Sequence, residues 1–189
     1  MTEHIDFLQL RDFAVSTATR AADLITARRA ELVAGDGIAA HTHTKSSDVD
    51  PVTDVDTATE EFIATTIRTQ RPGDGIFGEE GANVESTSGV TWIVDPIDGT
   101  VNFLYGVPDF AVSIGAEYQG RLVAGAVVNV ARGRTYAAAA GQGATVTGPD
   151  GKVHPLQCAH TKNPALALVA TGFGYDAQRR AAQAELLTK

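Results

Sequence analysis

The stretch Trp92-Ile93-Val94-Asp95-Pro96-Ile97-Asp98-Gly99-Thr100-Val101-Asn102-Phe103 joins an apolar run to an acidic, glycine-bearing turn. Val90 to Val94 has the β-branched and aromatic make-up of a buried strand, which delivers Asp95 at its carboxyl end. Pro96 fixes φ and contributes no N–H, so Asp95 and Asp98 can converge around a turn with the Ile97 carbonyl between them. Two carboxylates and a carbonyl make an all-oxygen donor set of the kind that suits a hard divalent ion such as Mg²⁺. Gly99 lets the backbone approach a ligand closely. Thr100 adds a hydroxyl beside amides that would bind an anion if a helix starts there. Asp, Pro and Gly are also ordinary turn residues, and spacing alone leaves a metal site and a plain acidic turn equally open.

Outward from this segment the texture is β-type. Ile76-Phe77, Ala111 to Ala116, Leu122 to Asn129, Thr135 to Ala139 and Leu166 to Thr171 are short apolar runs. Turns such as Gln119-Gly120, Arg132-Gly133-Arg134 and Pro149-Asp150-Gly151 separate them. Upstream lie two helices. From Asp6 to Val33 the residues Phe7, Leu10, Ala14, Thr17, Ala18, Ala21 and Ile25 fall on one stripe, and Gly35 and Gly37 end it. A second helix starts at Thr53 or Asp54, where Thr53 and Asp56 have the spacing of a capping box, and stops at Pro72-Gly73. Its expected buried face is Val55, Ala58, Phe62 and Thr66, with Ile63 and Ile67 beside them. Between the helices, Ala39 to Pro51 has no period and reads as a mobile loop. Two helices followed by hairpin-spaced strands predict an α+β fold with a largely antiparallel sheet. Ala177 to Leu187 reads as a last short helix, after which the chain stops with little to cover the far side of that sheet.

Two further acidic clusters accompany the first. Glu79 and Glu80 follow a short strand in Phe77-Gly78-Glu79-Glu80-Gly81, a pattern shared by many solvated loops. Asp54, Asp56, Glu60 and Glu61 lie in the first turns of the second helix, where acids oppose the helix dipole favourably. Three such clusters at strand ends and a helix start, in one small domain, strengthen the metal reading.

The bulk properties set limits. With 189 residues, 43% of them apolar, the chain can bury a core, and one domain covers its length. Net charge is −8 and the cations come no denser than pairs such as Arg28-Arg29, which argues against a broad nucleic-acid-binding face. No apolar run approaches the 18–20 or so residues that span a bilayer, and the N-terminus is acidic where a secretory signal is basic. The single cysteine, Cys158, excludes an internal disulfide framework and fits a reducing compartment, so a cytoplasmic protein without membrane partners is expected. Cys158 itself reads as a small, partly buried residue. Trp92, Phe103, Tyr105 and Phe110 read as packing residues, and His41 and His43 as members of the solvated loop.

The segment Trp92 to Phe103 resembles the signature of the inositol monophosphatase family. Lys45-Ser46-Ser47, Pro51-Val52-Thr53-Asp54-Val55-Asp56, Gly78-Glu79-Glu80 and Ala111-Val112-Ser113-Ile114-Gly115 follow the family's order. The likeness runs to Gly172-Phe173-Gly174-Tyr175 and is strongest to the actinobacterial branch. It implies a layered αβαβα sugar-phosphatase-type fold, of which residues 1–189 would be the N-terminal and central portion. It also implies a Mg²⁺-dependent phosphomonoesterase, sensitive to Li⁺ and homodimeric, acting on myo-inositol monophosphate or a related small polyol phosphate. A fructose-1,6-bisphosphatase, a nucleotide 3′-phosphatase, or a truncated non-catalytic metal-binding or interaction protein are the alternatives.

By the same resemblance, Glu79, Asp95 and the Ile97 carbonyl hold a first metal. Asp95 and Asp98 contribute to a second, and Glu79 acts through waters on a third. Asp56 with Thr100 orients and helps deprotonate the attacking water. The Gly99 and Thr100 amides take phosphate oxygens, with Asp98 beside the substrate, and Lys45 is a weaker candidate as a lid residue. An acidic protein can then bind an anion, because cations lie between them. Family members run on to a Trp-Asp motif that completes the second metal site and a Gly-Ser-Ala-like turn that contacts substrate; neither occurs after Tyr175.

Overall fold

The computed structural model describes residues 5–44, 51–174 and 176–187. Helix α1 spans Phe7–Ala34 and starts as its sequence dictates: the Asp6 carboxylate accepts from the Leu8 amide at 2.8 Å. Gly35 closes it by donating to the Glu31 carbonyl. Its buried stripe is Leu10, Ala14, Thr17, Ala18, Ala21, Ala22 and Ile25, small enough for the helix to lie close on the sheet. The segment read as a loop is partly ordered. Strands β1 (Thr42–Thr44) and β2 (Pro51–Thr53) pair antiparallel and lead straight into helix α2, Asp54–Gln70. Lys45, Ser46, Ser47 and Asp50 lie outside the described residues.

The capping box of α2 forms in full. The Thr53 hydroxyl accepts from the Asp56 amide, and the Asp56 carboxylate accepts from the Thr53 amide at 2.9 Å. The buried face is rotated from the expected one. Val55, Thr59, Ile63, Ala64, Thr66 and Ile67 are buried together with Asp56 and Glu60, whereas Ala58 is exposed. Phe62 is half-buried and carries the Arg20 guanidinium 5.1 Å above its ring.

The remaining strands are β3 (Gly75–Gly78), β4 (Asn83–Val84), β5 (Val90–Asp98), β6 (Ala111–Tyr118), β7 (Arg121–Asn129), β8 (Arg134–Ala139), β9 (Gly143–Thr147) and β10 (Val153–Leu156). They form one eight-stranded sheet in the order β10-β9-β8-β7-β6-β5-β3-β4. Every pairing is antiparallel except β3 with β5. The mixed, largely antiparallel sheet is the α+β arrangement that the sequence predicts. Helix α1 packs on β6, β7 and β8, and α2 packs beside it on β5 and β3. The core between them includes Ile63, Ile67, Trp92, Val112, Ile114 and Phe103. The opposite face, with Phe77, Ile93 and Val127, is exposed.

One buried carboxylate organises the start of the site-bearing strands. Asp74 accepts from Arg71 Nε at 2.7 Å, from Ser88 Oγ at 2.6 Å and from Trp92 Nε1 at 2.8 Å. It thereby satisfies the polar handle of a fully buried indole, whose ring lies 4.9 Å from that of Phe13. Trp92 is a core residue, as expected.

Two expectations fail in the C-terminal part, and two strands there were missed. Leu166 to Thr171 is no strand: a 3₁₀ turn at Pro164–Leu166 is followed by irregular, exposed chain. Cys158 is exposed, not partly buried. Strands β9 and β10 were not foreseen: β9 is five residues long with only Ala144 and Val146 apolar, and β10 is four residues long with Pro155 inside it. Helix α4 spans Ala177–Leu187, as expected, with no buried residue. Among the described residues no helix is long and apolar enough to cross a membrane.

Candidate functional site

The one parallel strand pair among the described residues, β3 with β5, positions the site. Gly78 is registered against Val94, and the Glu79 amide donates to the Val94 carbonyl at 3.1 Å. Glu79, just past the carboxyl end of β3, and Asp95, in the last part of β5, therefore follow neighbouring registered residues, near the strand ends where open α/β sheets commonly hold ligands. Beyond Asp95 the sequence predicts a turn, but β5 continues to Asp98. Asp95 pairs with Ser113 and Asp98 with Ala111, so three steps on β5 face two on β6. Pro96 supplies the reason: without an N–H it cannot keep the ladder regular, and the extra residue is taken up as a bulge. Pro96 and Ile97 are buried, Asp95 is half-buried and Asp98 is exposed.

Gly99 then takes φ 93° and ψ 41°, a left-handed conformation, and starts the short helix α3, Thr100–Tyr105. A side chain there would also sit 3.2 Å from the Asp109 carbonyl, so glycine is required twice over. The first amides of any helix have no acceptor within it, and here they belong to the Gly99–Thr100 turn. Phe103 and Phe110 anchor α3 edge to face at 5.4 Å. Tyr105, expected to pack, is 82% exposed, because α3 buries only Thr100 and Phe103.

Asp56 and Thr100 meet in the interior. Asp56 is 1% exposed, and its two oxygens have different partners. Oδ2 accepts from the Thr53 amide and hydroxyl; Oδ1 accepts from Thr100 Oγ1 at 3.2 Å. The Thr100 hydroxyl also lies 3.1 Å from the Ile97 carbonyl oxygen. One hydroxyl proton is thus shared between two acceptors, and the lone pairs of Thr100 Oγ1 remain able to accept a proton from a neighbour.

The structure therefore brings Asp56, Thr100 and the Ile97 carbonyl into direct contact, and places Glu79 and Asp95 on adjoining strand ends. Among the described residues, no three His, Cys, Asp or Glu side chains stand in a ready-made metal-holding group. The donor chemistry still suits a hard divalent cation: Glu79, Asp95 and Asp98 carboxylates with one backbone carbonyl, all oxygen, on rigid strand ends. His41 and His43 stand elsewhere, with Nδ1 and Nε2 respectively 3.1 and 3.2 Å from the two oxygens of Asp54. Hydrogen bonding from His41 foremost, then from His43, holds the Asp54 carboxyl below the ordinary carboxylate range. The loop histidines thus cap the start of α2 at its surface.

Sequence reasoning passed over Glu60. Grouped with the dipole-facing acids, it is instead buried, and its carboxylate accepts from the Glu80 and Ala82 amides at 2.8 Å each. The available signal was its spacing of four from Asp56, which puts both on the same helix face.

These features define an α+β framework with acidic residues beside its parallel strand pair, and known proteins share it. The structure of Mycobacterium tuberculosis SuhB superposes with a TM-score of 0.79 at 42% identity, over 98% of this chain and 66% of that one. The sequence profile of the inositol monophosphatase family matches residues 6–189, and the chain belongs to that family. It is similar to the inositol-1-monophosphatase SuhB of M. tuberculosis, 49% identical over 188 residues. It is also similar to the inositol-1-monophosphatase of Mycobacterium leprae, 48% identical over 189 residues. These alignments take in 95% and 96% of this chain, but only 64% and 65% of the two relatives.

Proposed function

We propose that this chain belongs to a Mg²⁺-dependent phosphomonoesterase that hydrolyses myo-inositol monophosphate or a related small polyol phosphate. The observation that carries the reading is the Asp56–Thr100 hydrogen bond, set beside the all-oxygen donor set of Glu79, Asp95, Ile97 and Asp98. Mycobacterial relatives at 48–49% identity are named inositol-1-monophosphatases, which supports the same substrate class.

Glu79, Asp95 and the Ile97 carbonyl would hold one Mg²⁺, and Asp95 with Asp98 would contribute to a second. Bound there, the cation neutralises phosphate charge and lowers the pKa of a water. The protein's own part begins at Thr100. A water that donates to Thr100 Oγ1 is oriented by that contact, while the hydroxyl passes its own proton density to Asp56 Oδ1. Asp56 can accept because Thr53 holds its other oxygen and fixes the carboxylate plane. The Gly99–Thr100 amides, at the start of α3, would take phosphate oxygens. Burial of Asp56 and Thr100 shields this proton path from bulk water. The family relationship extends the proposal to suppression by Li⁺, a homodimer and a cytoplasmic location.

The test is phosphate release by the chain from three substrates: myo-inositol 1-phosphate, fructose 1,6-bisphosphate and a nucleoside 3′,5′-bisphosphate. The expected result is release that needs Mg²⁺, favours the inositol ester and falls on adding Li⁺. Release undiminished by removal of divalent cations would contradict it. Preference for either other ester would move the substrate assignment within the same chemistry.

A further inference from the structure

Glu60 is a carboxylate placed where a buried charge is costly. It is 4% exposed on α2, one turn beyond Asp56, and burying such a polar group is costly unless donors serve its oxygens. Two do: Oε2 accepts from the Glu80 amide and Oε1 from the Ala82 amide, both at 2.8 Å. Hydrogen bonds from N–H to a carboxylate are among the stronger ones available to a protein.

The loop so gripped is the one that carries Glu79. Backbone bonds add to this grip. The Gly78 amide donates to the Ala82 carbonyl at 2.9 Å, and the Glu79 amide donates to the Val94 carbonyl on β5. Residues 78, 79, 80 and 82 are therefore each bonded, and Glu79 is held from both sides. The fit at Gly78 is close: a Cβ there would fall 2.5 Å from Glu60 Oε2 and 2.8 Å from Oε1. Any side chain at 78 would push the Glu60 carboxylate off its two amides. Gly78 lies in extended β3, so glycine is needed for room and not for backbone conformation.

We propose that Glu60 is a positioning residue. Its carboxylate clamps the Glu79–Ala82 loop, keeps the Glu79 carboxylate beside the Asp95 strand end, and thereby sets the divalent-cation affinity of the site. The proposal rests on the metal reading given under Proposed function. Groups that orient metal ligands through hydrogen bonds typically change affinity about 10–100-fold when altered. The Glu60→Gln variant keeps the side chain's size but turns an NH₂ group toward one of the two amides, so one bond is lost to donor against donor.

Calorimetric titration with Mg²⁺ alone, without any phosphate ester, tests this. Wild type, Glu60→Gln and Glu61→Gln are compared, with amide hydrogen exchange followed at Glu80 and Ala82. Glu61→Gln removes the same formal charge from the next residue, which is exposed and bonded to Thr65 and Arg68. Glu60→Gln should weaken Mg²⁺ binding by about tenfold or more and speed exchange at both amides. Glu61→Gln should do neither, because an exposed charge is screened. A purely structural Glu60 would lower the thermal midpoint while leaving the Mg²⁺ affinity of the folded protein unchanged, and that result overturns the proposal. So does fast exchange of the Glu80 and Ala82 amides in the wild type, a measurement that does not depend on any variant folding. If the wild type takes up no Mg²⁺, the metal reading itself falls and the proposal with it.

Discussion

The corner where β3, β5, α2 and α3 meet and the chain from residue 157 to 187 contain similar side chains used in opposite ways. In the corner, apolar residues such as Trp92, Ile63 and Phe103 are buried, and buried polar groups among them such as Asp74, Asp56 and Thr100 are hydrogen-bonded. Among the described residues of 157–187, Leu166, Val169, Phe173 and Leu186 are more than half exposed, and the bonds include local ones such as that from the Ala165 amide to Asn163 Oδ1. Apolar content is thus a poor guide to where the fold is held. What distinguishes the corner is mutual satisfaction: Asp74, Glu60 and Asp56 are each buried, and each accepts at least two hydrogen bonds.

The contrast can be broken by substitution. Asp74→Ala takes away the shared acceptor of Arg71, Ser88 and Trp92 and leaves the indole N–H buried without it. A loss of about 3 kcal/mol in unfolding free energy is expected, read as a lower urea midpoint. An unchanged midpoint would mean that the buried polar cluster does not hold the corner together.

Thr100→Val keeps the shape and removes the hydroxyl that joins α3 to Asp56. Phosphate release should fall roughly a hundredfold, with KM little changed. Stability should drop by only about 1 kcal/mol, since one hydrogen bond is involved. A stability loss without a rate loss would assign the Asp56–Thr100 contact to the fold instead of the chemistry.

At the other end of the scale, Leu168→Ser should alter stability by less than about 0.5 kcal/mol, because that side chain is fully exposed. A larger loss, again by urea unfolding, would show that residues 157–187 share in the cooperative core and would erase the contrast.

The same contrast explains what was legible in the sequence. The ends of α1 and α2 could be read because their signals are local: Asp6 caps its own helix, and Thr53 and Asp56 form a box over three residues. The identities of Asp95, Asp98, Gly99 and Thr100 were legible as a dense motif, although the bulge through Pro96 was not, since it depends on the partner strand β6. Glu60 escaped because its partners are 20 and 22 residues away, brought near only by packing. Leu166 to Thr171 misled for the converse reason. An apolar run predicts a strand only where another strand pairs with it, and none of the eight in the described sheet does.

The central claim is that Asp95, at the start of the β5 bulge beside Glu79, belongs to a cation-holding site that drives phosphate release. Asp95→Asn preserves shape and removes one negative charge from that position. The most direct measurement is phosphate release from myo-inositol 1-phosphate by wild type and Asp95→Asn across a Mg²⁺ series. The account predicts a loss of at least about a hundredfold that raised Mg²⁺ does not fully restore. Full activity in Asp95→Asn at ordinary Mg²⁺ would contradict it.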